Sequence, residues 1–151
     1  MIRIRAGADP ATATVWKFEF TAHEGVEMRN GKTGAAKGMQ TAYIVGDSYR
    51  YWAIDVKCVN VLNEYEAVFA GEVVMTSGVG SVSRGDYFKI WVQDYGEPGA
   101  GVDKLFTART SPDDVDVVAD AMDFCQTPEN QFESMVPWDV AEGNIQVHYR
   151  D

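Results

Sequence analysis

The sequence has no apolar run near the roughly 20 residues that a helix needs to cross a bilayer. It has only two cysteines and two histidines, and 13 Lys and Arg stand against 23 Asp and Glu. Each shortage excludes a class. Without a long apolar run, no membrane insertion is expected. His23 and His148 are the only histidines, and Cys58 and Cys125 have no CxxC spacing, so a zinc site or a thioredoxin-type motif is not expected. No GxSxG elbow, HExxH helix or Walker loop occurs, and Gly78-Val-Gly80 lacks the third glycine and the following helix of a dinucleotide fingerprint. The chain is therefore read as not an enzyme. Its net charge of −10 repels phosphate backbones, so nucleic acid is not an expected partner.

What is present is alternation. Trp16, Phe18 and Phe20 alternate with Lys17 and Glu19; Trp52, Ile54, Val56 and Cys58 alternate with Asp55 and Lys57. Phe88, Ile90 and Val92 alternate with Tyr87, Lys89, Trp91 and Gln93, and Ile145, Val147 and Tyr149 with Gln146 and His148. Strand side chains point to opposite faces in turn, so each run offers one face to a core. Further strands are expected near 1–6, 39–46, 65–75 and 103–109. Glycine-rich turns separate the runs at Asn30-Gly31, Ser77–Gly80 and Gly96–Gly101. The expected fold is all-β: an antiparallel β-sandwich of about eight strands, formed by residues 1–151 as a single domain.

One stretch departs from this pattern. Ser111-Pro-Asp-Asp114 has the features of a helix start, and Val115, Val118, Ala119 and Met122 then share a helical face, which predicts one short helix near 112–123. Residues 124–143 read as a long connection to the last strand.

Charge is unevenly placed. Residues 1–60 carry eight cations and six anions, whereas residues 61–151 carry five and seventeen. This suits solubility, cation binding or contact between unlike ends. The opening Met1-Ile-Arg-Ile-Arg5 alternates like a strand and has no signal-peptide core, so an exported chain is expected to have had its signal removed or supplied elsewhere.

Four groups of residues are candidates for function. Asp94, Glu97 and Asp103 on a glycine-rich loop offer hard oxygens to Ca²⁺; the plain alternative is a long turn. Tyr87 and Trp91, on the strand face opposite Phe88, present rings to a sugar or a protein unless another element, such as the 112–123 helix, covers them. Cys58 and Cys125 form either one disulfide or a pair of buried thiols. Arg3 and Arg5 on an N-terminal strand can guide pairing with another copy; the alternative is that this strand pairs within its own sheet. Arg84-Gly-Asp86 matches an integrin-type tripeptide, a short motif that also makes a good turn.

Ala67-Val-Phe-Ala-Gly71, Tyr87-Phe-Lys-Ile-Trp-Val-Gln-Asp94, Gly96-Glu-Pro-Gly-Ala-Gly-Val-Asp103 and Gly143-Asn-Ile-Gln-Val-His148 follow one another in this order. Together they resemble a β-rich accessory domain, of the post-COAP type, found in bacterial secreted and surface proteins. The resemblance covers roughly residues 40–109 and 143–148, and the 110–142 segment departs from it. It implies a β fold and an exported or cell-surface setting, without catalytic residues. The expected function is a non-catalytic secreted or cell-surface binding or adhesion module that meets a protein or carbohydrate surface. The alternative is a structural subunit that self-assembles into an extracellular fibre, sheet or shell.

Overall fold

The structure, a computed structural model, describes residues 2–5, 15–23, 37–44, 49–63, 65–94 and 104–142. Eight strands lie among them: β1 (Ile2–Arg5), β2 (Val15–His23), β3 (Lys37–Ile44), β4 (Tyr51–Val61), β5 (Glu66–Ser77), β6 (Tyr87–Gln93), β7 (Lys104–Thr110) and β8 (Val136–Glu142). One helix, α1 (Val117–Gln126), and two 3-10 turns, Pro128–Asn130 and Phe132–Ser134, lie between β7 and β8. Seven strands fall where alternation places them. The eighth, β8, occupies part of the segment read as a connection, and the strand expected at 145–149 lies outside the described residues.

Each strand pairs antiparallel with the next in sequence, and β1 pairs with β8, so the sheet closes as a barrel. The all-β antiparallel class with a single helix is therefore as expected. The expected division into two packed sheets is not seen among the described residues. Alternation reports only that one face of each strand is buried, which sandwiches and barrels share; the connectivity separates them. Closure also places β1 between β2 and β8, with Arg3 opposite Lys17 and Glu142. Both edges of the N-terminal strand are thus used internally, the alternative to the intermolecular pairing envisaged for Arg3 and Arg5.

The core inside the barrel is built from Phe18, Trp52, Ile54, Val56, Phe69, Val73, Phe88, Ile90, Val92 and Leu105. Trp52 stacks on Phe88 at 4.9 Å between ring centres, and Phe18 meets Trp52 edge-on at 5.8 Å. Such contacts add to the burial of large aromatic area.

A second core lies outside the barrel wall. It joins Cys58, Val68, Ala70, Tyr87 and Trp91 to Val117, Ala121, Phe124, Cys125 and Met135. β6 is consequently buried on both faces.

A bulge makes this second core possible. Strict alternation puts Cys58 on the inner face with Ile54 and Val56. The register of β4 against β5 shifts between Val56 and Cys58, so Cys58 turns outward while Val59 packs inward. Gly71 sits opposite Val56 at this point, and a Cβ there would lie 2.3 Å from the Asp55 carbonyl oxygen. The bulge brings backbone against backbone, and only glycine fits.

The helix also differs from expectation. Residues 112–114 form a turn, in which the Ser111 carbonyl accepts from the Asp114 amide at 3.1 Å. Asp116 is the N-cap, its carboxylate accepting from the Ala119 amide at 3.2 Å. Two cap signals, Ser111 and Asp116, lie five residues apart, and packing selects the later one, because a helix over Val117–Gln126 buries Phe124 and Cys125. Val115, Val118, Ala119 and Met122, which share the predicted helical face, are exposed.

Candidate functional site

The flank covered by α1 joins a disulfide, a part-buried ion pair and several side-chain hydrogen bonds. Cys58 and Cys125 are joined in a disulfide, with Cα atoms 6.3 Å apart. Asn60 Nδ2 donates to the Cys125 carbonyl at 2.7 Å. Lys89, which points outward from β6, donates to Asp120 of α1 at 2.8 Å and also to Gln131 Oε1. Gln131 Nε2 in turn donates to Asp120 at 3.4 Å. A buried ammonium thus finds a carboxylate and an amide, as a charge removed from water requires. Disulfide and ion pair together fix α1 over β4, β5 and β6.

Tyr87 and Trp91 do share the outer face of β6, but that face is not open. They are 6% and 8% exposed beneath α1 and the turns that follow it. Trp91 Nε1 donates to Glu66 at 2.7 Å, and Phe132 packs on the Trp91 ring at 4.9 Å. Burial raises the pKa of Tyr87, and the Glu72 carboxylate pushes the same way. These rings are parts of a core rather than a strip for sugar or protein, because the 110–135 segment folds back over them.

The other sequence candidates are placed as follows. Asp94 directly follows β6, its amide donating to the Tyr65 carbonyl at 2.7 Å, while Glu97 and Asp103 lie outside the described residues. Among the described residues, no three His, Cys, Asp or Glu side chains are gathered to hold a metal, and no helix is long and apolar enough to span a membrane. Asp86 of the Arg-Gly-Asp tripeptide is buried, accepting from the Ser83 amide at 2.9 Å and from Arg109 at 3.0 Å. Gly85 between them has φ +93°, so the tripeptide is a turn tied to β7, with its carboxylate turned inward.

What alternation missed is the outward side of α1. Val118 is 51% and Met122 38% exposed, one helical turn apart, and Val115 just before the helix is 43% exposed. Asp113, Asp114, Asp116 and Asp123 are exposed around them. The helix is therefore apolar on both sides, one side packed on the barrel and the other open with a rim of carboxylates. Anchoring the helix on Cys125 would have exposed this arrangement, since Ala121, Phe124 and Cys125 then set the inner face.

No protein-family model matches the chain, and no curated protein or solved structure matches it.

Proposed function

We propose that the chain is a non-catalytic, exported binding module that docks a protein partner on the outward side of α1. The observation that carries this reading is the open pair Val118 and Met122 on a helix whose opposite side is already packed, with exposed Val115 just before it. Helices that cover a core normally turn polar residues to water. Exposed carboxylates rim these side chains, so the complementary surface carries apolar side chains flanked by Lys or Arg.

An exported setting draws support from two sides. The Cys58–Cys125 disulfide suits an oxidising compartment, and the motif order resembles accessory domains of secreted and surface proteins. A carbohydrate partner is not favoured, since Tyr87 and Trp91 are covered. Self-assembly into a fibre or shell would need a surface other than β1, both of whose edges are paired.

The test is calorimetric titration at low salt with an amphipathic helical peptide of Leu and Lys, against a scrambled peptide of the same composition. Wild-type protein binds the amphipathic form, and Val118→Ser with Met122→Ser weakens it about tenfold or more, as loss of a central apolar anchor does. Equal binding of the scrambled peptide, or no effect of the double variant, would overturn the reading.

A further inference from the structure

The barrel interior holds a side-chain amide that packing leaves unexplained. On β3, Gln40 and Ala42 face inward and alternate with the exposed Met39. Gln40 is 0% exposed, and neither its Nε2 nor its Oε1 has a hydrogen-bond partner. Its cross-strand neighbours are Phe20 on β2 and Ile54 on β4, and Phe20 lies 5.3 Å from the Phe69 ring. An amide between such walls gives up its bonds to water without replacement. Folded proteins rarely leave both polar atoms of a side chain in that state. By contrast, Trp138 Nε1, packed against the same core, donates to Thr107 Oγ1 at 2.8 Å.

We propose that the Gln40 amide is the polar anchor of a small-molecule site inside the barrel. An eight-stranded barrel has an interior of the width that either fills with side chains or holds one small ligand. Small-molecule sites are typically apolar cavities with a few placed polar groups. A glutamine amide sets a donor beside an acceptor. Its complement is a carboxamide or lactam, which presents the same pair reversed, and the phenylalanine walls favour a flat apolar body carrying it. The site is separate from the outward side of α1.

The experiment follows the side-chain amide resonances of Gln40 and the melting temperature of the full chain, with benzamide as probe and toluene as the control of similar shape without an amide. Benzamide is expected to move the Gln40 resonances saturably and to raise the melting temperature by mass action on the folded state; toluene is expected to leave the Gln40 resonances in place. Gln40→Met keeps the length and removes both polar atoms, so it should weaken benzamide about tenfold, while its own melting temperature equals or exceeds that of the wild type. Gln40 resonances unmoved by benzamide would overturn the proposal, as would equal binding by Gln40→Met. So would a water molecule seen at the amide that benzamide does not displace. Should Gln40→Met fail to fold, the wild-type resonance titration decides alone.

Discussion

Reducing the Cys58–Cys125 bond should lower stability by an amount that follows from chain length. The bond links positions 67 residues apart, enclosing β5, β6, β7 and most of α1. Closing a loop of that size removes about 15 cal/mol/K of entropy from the unfolded chain, or about 4.4 kcal/mol at 25 °C. For a chain of this size each kcal/mol moves the melting temperature by about 2–4 °C, so the expected fall is roughly 9–18 °C. The folded form should survive at 25 °C, because Phe124 is fully buried and Lys89 still pairs with Asp120. Calorimetric melts with and without reductant, repeated on Cys58→Ser/Cys125→Ser, measure this directly. A thiol assay on the oxidised protein should find no free thiol. A fall below about 3 °C would refute the argument, since a crosslink across such a loop must restrict the unfolded chain.

Three further outcomes are expected. Gly71→Ala drives a Cβ to 2.3 Å from the Asp55 carbonyl oxygen. It should cost about 1–3 kcal/mol or more; a melt within about 1 °C of wild type would contradict the close approach. Tyr87 has its pKa raised by burial, so its contribution is fully present below the unfolded value near 10 and is lost as pH rises through the folded value. Denaturant melts between about pH 9 and 11.5 should therefore fall more steeply for wild type than for Tyr87→Phe, and identical slopes would count against burial as the cause. The loop carboxylates Asp94, Glu97 and Asp103 are tested by adding millimolar calcium: a rise in melting temperature that Asp103→Ala abolishes assigns them to the ion, and a flat response leaves a turn.

The strands were readable because alternation is a local property, and Phe18, Ile54, Ile90 and Leu105 lie inside as that period requires. Closure was not readable, since the pairing of Arg3 with Glu142 joins the two ends of the chain and leaves no local trace. The bulge beside Lys57 was equally silent. One inserted residue reverses every later side chain, which moved Cys58 from the inner face to the outer and made its bond to Cys125 possible. The helix was found but started five residues early, because Ser111 and Asp116 both carry cap chemistry and only the burial of Phe124 separates them. With that start, Val118 and Met122 lie on the exposed side of the helix. The covering of Tyr87 and Trp91 followed from the same segment, whose path depends on contacts distant in sequence.

The central claim is that the outward side of α1 is the binding face. Methyl resonances of Met122 and Val118, followed during titration with the amphipathic Leu–Lys peptide at low salt, test it most directly. The account predicts that these methyls shift first and saturate together, and that added salt weakens the response because the rim is acidic. Shifts centred on another part of the barrel, with Met122 and Val118 unmoved, would contradict it.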